Sequence, residues 1–178
     1  MKLSGIGASF PSQKISNDDV LKLLEQQSHH VYEGNIKKLL RKAEIVLKQT
    51  GLENRYWLDN DEKMMPHIDN AYREAIDMAG MASTDIDMCI YASVDKQFFE
   101  PGQASIIANL LGLENCHCFD IVEACMSWTR AMEIADSFLK IGSYQKILVI
   151  TSEFTANQNT VNFKNYTIKN DNEFRWKF

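Results

Sequence analysis

Only 3 prolines and 8 glycines punctuate the 178 residues, too few for a fibrous or low-complexity chain. Hydrophobic residues make up 45% and charged residues 24%, as in an ordinary globular domain, and the length suffices to bury roughly 70% of the unfolded surface. A basic excess is missing too. With a formal charge of −5 and a pI of about 5.4, the chain lacks the overall attraction that non-specific nucleic-acid binding depends on, so no nucleic-acid partner is expected. No apolar run approaches the roughly 20 residues that span a bilayer, and the opening MKLSGIGASF has no apolar core of signal-peptide length. The reading is a cytoplasmic protein with no membrane partner. Cysteine is also sparse: Cys89, Cys116, Cys118 and Cys125, without an export signal, read as thiols rather than as a disulfide framework.

What is present is an alternation of helix and strand patterns. Lys2 to Phe10 is small and apolar and ends at Pro11, which predicts a first strand closed by a turn. Asn17 and Asp18 predict the cap of a helix through Val20, Leu23 and Leu24. Between Asn35 and Gln49, the residues Ile36, Leu39, Leu40, Ala43, Val46 and Leu47 recur at helical spacing, with lysines and Arg41 opposite, and Gly51 marks the stop. That basic face reads as solvated. A further helix is expected over Asp61 to Gly80, with Pro66 in its first turn or at a break.

Asp87 to Val94 then reads as a buried strand, Gln103 to Leu111 as a helix ended by Gly112, and Cys116 to Val122 as another strand. Cys125 to Ile141 is apolar around most of its circumference, with Arg130, Glu133, Asp136 and Lys140 on a narrow stripe, so a largely buried helix is expected. Lys146 to Ser152 has the composition of a central parallel strand covered on both faces. Strands separated by helices imply an α/β sheet. The last 24 residues differ, with six asparagines and four basic against two acidic residues. They close on three aromatics with no following element to cover them, so the fold is expected to continue beyond them; an edge strand or a loose tail is the other reading.

Among the thiols, Cys125 stands out because it follows a strand and opens a helix. Peptide N–H groups and the positive end of the helix dipole at such a place favour the thiolate, which is the nucleophilic form. A buried, inert cysteine is the plainer alternative. Cys116, His117 and Cys118 alternate along a strand, so the two sulfurs and the imidazole face opposite sides and no metal site is expected.

The run DIVEACMSWTRAMEIADSFLKIGSYQKILVITSE at 120 to 153 resembles the nucleophile region of β-ketoacyl-ACP synthase III and its thiolase-fold relatives. GIGASFP at 5 to 11, NDDV at 17 to 20, TGLENR at 50 to 55, DIDMCIYAS at 85 to 93 and PGQASIIANLLGL at 101 to 113 resemble that family in the same order. The resemblance implies a thiolase-like α/β fold, of which residues 1–154 form the first of two duplicated halves and 155–178 begin an incomplete continuation.

It further implies that Cys125 takes an acyl group from a thioester and that the acyl-cysteine then condenses with a malonyl-type thioester, as in fatty-acid or polyketide-like biosynthesis. No permanently bound cofactor is implied; acyl-CoA or acyl-carrier-protein thioesters are the substrates. Arg55 matches a family arginine near the one that helps hold the adenine end of CoA, whose own place Glu53 takes; the resemblance makes Arg55 the candidate cofactor-binding residue and favours carrier-protein delivery over CoA. A homodimer pairing through Lys146 to Ser152, or a second-half subunit, is the implied partner.

The family's catalytic histidine and asparagine match none of His29, His30, His67 or His117, so the chain alone is expected to lack them. A non-catalytic partner subunit or an inactive fragment is accordingly the alternative reading. Four departures from the pattern bear on donor and pocket: Met126, Ser127 and Trp128 follow the cysteine in place of Ser-Gly-Phe, Glu53 replaces an arginine, Glu100 replaces an aromatic, and Glu123 replaces a small residue. A carboxylate two residues before the thiol opposes its ionisation unless it points away or is paired.

Overall fold

The computed structural model describes residues 1–154 and 166–177. Along the chain run β1 (Gln13–Ser16), α1 (Asn17–Ser28), α2 (Ile36–Gln49), β2 (Asn54–Trp57), α3 (Met64–Ala79), β3 (Met88–Ala92), α4 (Gln103–Leu110), β4 (His117–Ile121), α5 (Ser127–Ile141), β5 (Ile147–Ile150) and α6 (Asp171–Lys177). Two compact units divide them: Met1–Phe10 with Lys63–Phe154, and Pro11–Glu62 with Thr155–Phe178.

The first unit is a parallel sheet of order β4-β3-β5. Every residue of the central strand β3 is buried, as an unbroken apolar run covered on both faces requires. The pleat sends Met88, Ile90 and Ala92 to one face, where they pack on Ala131 and Ala135 of α5 together with Phe119, Ile121, Ile147 and Val149. At the exit of β3, Tyr91 donates to the Asp95 carbonyl at 2.5 Å and shares a hydrogen bond with the Ser152 hydroxyl at 2.8 Å. Asp95 is buried, and its carboxylate accepts from the Phe154 amide at 2.7 Å. Those bonds satisfy the polar groups that the strand ends would otherwise bury unpaired.

The second unit joins the antiparallel pair β1–β2 to α1, α2 and α6. Ser16 caps α1 with a reciprocal bond to Asp19, so the cap lies one residue before the predicted Asn17. Helix α2 forms as its spacing predicts, capped by Asn35, with Leu39 and Ala43 buried and Lys37, Lys38 and Arg41 exposed. Leu24, Leu39, Ala43, Ile168 and Phe174 make the core of this unit. The buried Ser28 hydroxyl donates to the Tyr166 carbonyl and accepts from the Ile168 amide, both at 2.9 Å, tying the end of the chain to α1.

Several expectations are corrected. Residues 1–10 form no strand; Gly5 and Gly7 let this segment lie directly on the backbone of α3, where a Cβ at either would meet the Ala75 or Ala71 carbonyl. Strand β5 lies at the sheet edge rather than its centre, because among the described residues nothing pairs with its second side. Helix α5 is less buried than its apolar circumference predicts, with Trp128 42% and Ile141 71% exposed. Among the described residues near the end of the chain, Asp171–Lys177 are helical and Phe174 is covered, where an edge strand or a loose tail is the other reading. Expectations for Asn157, Asn159, Asn162 and Asn165 lie outside the described residues. Among the described residues no helix is long and apolar enough to cross a membrane.

Candidate active site

Strand β4 leads into the turn that carries Cys125. Glu123 leaves the strand with φ −142° and ψ 48°, and Ala124 then adopts φ +45°. A residue with a Cβ in the left-handed region is strained by roughly 1–3 kcal/mol and persists only when its surroundings impose it. Three bonds impose it here. The Met126 amide donates to the Glu123 carbonyl at 2.9 Å. The Ser127 hydroxyl accepts from the Glu123 amide and donates to the Ala124 carbonyl, each at 2.8 Å.

Cys125 sits in a 3-10 turn, Ala124–Met126, immediately before α5, and is exposed. Met126 gives α5 no side-chain cap, so the positive end of the helix dipole at that turn is not occupied by a capping oxygen. The other three thiols differ. Burial pushes the Cys89 thiol well above its usual range, with Cys116 and Cys118 adding to the effect. Burial and the neighbouring Cys118 push Cys116 up to about 12. Cys118 is raised by burial as well. A thiol that stays protonated at neutral pH is a poor nucleophile, which leaves Cys125 as the accessible candidate.

Glu123 is paired. Arg130, in the first turn of α5, donates to its carboxylate at 2.8 and 3.3 Å, and this bond holds the Glu123 carboxyl below the usual carboxylate range. Arg130 also binds Glu133. From the sequence alone Arg130 reads only as part of a charged stripe and Ser127 only as the residue in place of a glycine. The signal for the latter was a serine in the first turn of a helix, where hydroxyls bond nearby backbone.

Arg55 lies on β2 in the second unit, where its Nη2 donates to Asn17 Oδ1 at 2.7 Å. Its Nη1 is buried with no hydrogen-bond partner among the described residues. A buried donor left open in this way is unusual and leaves a place for an acceptor.

The histidines are engaged away from the Cys125 turn: His67 with the Ser9 hydroxyl at 2.8 Å, His117 with the Tyr144 hydroxyl at 2.8 Å, and His29 with His30 edge to face. Among the described residues, no group of three or more His, Cys, Asp or Glu side chains could hold a metal ion. A cavity of about 520 Å³ opens in the first unit between residues 1–10, α3, α5 and β5; Trp128 and Met132 line it, and Cys125 does not.

The family model for 3-oxoacyl-[acyl-carrier-protein (ACP)] synthase III matches residues 119–170, a stretch that contains the Cys125 turn, α5 and β5. β-Ketoacyl-[acyl-carrier-protein] synthase III of Aliivibrio fischeri is 30% identical over 152 residues, 85% of this chain and 43% of that protein. The enzyme of the same name from Ehrlichia canis is 29% identical with the same coverage. The crystal structure of 3-oxoacyl-[acyl-carrier-protein] synthase III from Aquifex aeolicus superposes with a TM-score of 0.69 at 25% identity, over 87% of this chain and 45% of that one. The chain thus spans about 43% of the length of the curated relatives it matches. Over that span the chain is similar to β-ketoacyl-ACP synthase III and has a thiolase-like fold.

Proposed function

We propose that this chain is the nucleophile-bearing part of an acyl-condensing enzyme of the synthase III type, in which Cys125 accepts the acyl group. The observation that carries the reading is an exposed thiol on a strained turn at the start of α5, within the stretch that the family model matches. The thiolate attacks the thioester carbonyl; the donor's C–S bond breaks, and its sulfur leaves and takes up the proton that Cys125 gave up. Because the acyl-cysteine is itself a thioester, the second transfer starts from a carbonyl as activated as the first. A malonyl-type thioester then loses CO2, its carbanion forms a C–C bond to the acyl carbon, and Cys125 departs as thiolate.

The decarboxylating histidine and asparagine belong to the rest of the fold, with residues 1–154 supplying its first half and 155–178 the beginning of its continuation. A second copy, or a subunit carrying the other half, is the proposed partner, and the compartment is the cytoplasm. Donors are acyl-CoA or acyl-carrier-protein thioesters, and the open Nη1 of Arg55 supports a role for that residue in holding the donor.

Intact-mass measurement after incubation with acyl-CoA and with acyl-carrier protein tests the reading. The expected result is one acyl adduct per chain, absent in Cys125→Ala; no adduct with either donor overturns it. A second reading, a non-catalytic partner subunit or an inactive fragment, is favoured by the chain's spanning only 43% of its relatives, and it predicts no adduct.

A further inference from the structure

The turn that presents Cys125 is closed by one buried side chain. Ser127 is 3% exposed, and its hydroxyl bridges the turn from inside, accepting from the Glu123 amide and donating to the Ala124 carbonyl. These two backbone groups bracket the Cα atoms of Glu123 and Ala124, and the φ of +45° at Ala124 lies between them and aims the following residue. An alanine gains nothing from that conformation by itself, so a group bonded to the backbone before and after its φ bond fixes it. Ser127 stands where the resembled family has a glycine, which has no side chain to make either bond.

We infer that Ser127 is a positioning residue for Cys125: its hydroxyl holds Ala124 in the left-handed conformation and thereby sets the direction of the thiol toward the acyl donor. This rests on the acyl-transfer reading above. Without the hydroxyl, the Glu123 amide and the Ala124 carbonyl lose their shared partner and the turn relaxes toward right-handed backbone. Relaxation swings the Cys125 side chain while leaving it at the surface.

The two reactions of a thiol separate orientation from exposure. Acylation by a bulky thioester demands a set approach to the sulfur, whereas a small alkylating agent reaches an exposed sulfur from many directions. In the full chain, the rate of Cys125 acylation by an acyl-CoA is measured by intact mass beside the rate of iodoacetamide alkylation, for wild type, Ser127→Ala, Ser127→Thr and Ser127→Val. The expected result is acylation about tenfold or more slower in Ser127→Ala, with alkylation within about twofold of wild type. Ser127→Thr restores acylation, and Ser127→Val, of the same shape without the hydroxyl, does not. Should Ser127→Ala fail to fold, the Thr and Val pair gives the same comparison.

Equal acylation in wild type and in the variants lacking the hydroxyl overturns the inference and leaves the acyl-transfer reading standing. So does a parallel change in both rates, which marks a general loss of structure. Absence of any acyl adduct on the wild type sinks the acyl-transfer reading, and the inference with it.

Discussion

Arg130 grips both carboxylate oxygens of Glu123, at 2.8 and 3.3 Å, two residues before Cys125. The pair answers a local conflict, because an unpaired carboxylate so close to a nucleophilic thiol works against the thiolate. Both partners are about half exposed, so solvent screens the effect.

Arg130→Gln is therefore expected to slow alkylation of Cys125 at neutral pH by a small factor, about two- to fivefold. The double variant Glu123→Gln/Arg130→Gln should return the rate to that of wild type. Iodoacetamide kinetics at low ionic strength check both. A single variant as fast as wild type would show that the carboxylate lies outside the field of the thiol.

Asp120 gives a pH-dependent stability with a definite sign. Burial works to raise its carboxyl, but bonds from Lys96 and from the Ala104 and Gln103 amides outweigh it and hold the group below the ordinary carboxylate range. A depressed folded-state value contributes stability that is complete above the unfolded value, near 3.9, and is lost as pH falls through the folded one. Asp120→Asn should cost about 1–3 kcal/mol at neutral pH, since it leaves the partly buried Lys96 charge without its partner and weakens the cap of α4. The gap from wild type should narrow below about pH 4. Urea unfolding at pH 7 and in acid measures it.

Gly7 marks a close approach of backbone to backbone. A methyl group there would run into the Ala71 carbonyl of α3, which cannot yield without moving the helix. Gly7→Ala should destabilise the first unit by about 1–3 kcal/mol and expose residues 1–10 to proteolysis. Thermal unfolding and limited digestion would detect both effects.

Ile90, fully buried at the centre of β3, reports on the sheet itself. Ile90→Ala should cost about 2–5 kcal/mol, read as a shift in the denaturant midpoint with the slope unchanged.

Much of this architecture was legible in the residues. The 3.6 period of α2, the apolar run of β3 and Gly112 after α4 each reflect a local rule that the tertiary structure reinforces. Strands β1 and β2 were not legible: they are four residues each, and Gln13, Lys14, Asn54 and Arg55 give them no apolar alternation. Residues 1–10 have strand composition but rest on α3, because two glycines admit a contact that no propensity scale counts. Phe174 could not be matched with Leu24 and Leu39 from sequence alone, since the contact joins segments more than 130 residues apart. At the candidate site, the position of Cys125 could be read, but its supports could not. Ser127 and Arg130 act on Glu123 and Ala124 only once the turn has brought them into reach.

The most direct measurement is peptide mapping of the acylated chain, asking which of four thiols bears the acyl group. The account predicts a hydroxylamine-labile acyl group on Cys125 alone, with Cys89, Cys116 and Cys118 kept protonated and inert by burial. Acyl groups spread across the thiols, or found on a residue other than Cys125, would contradict it.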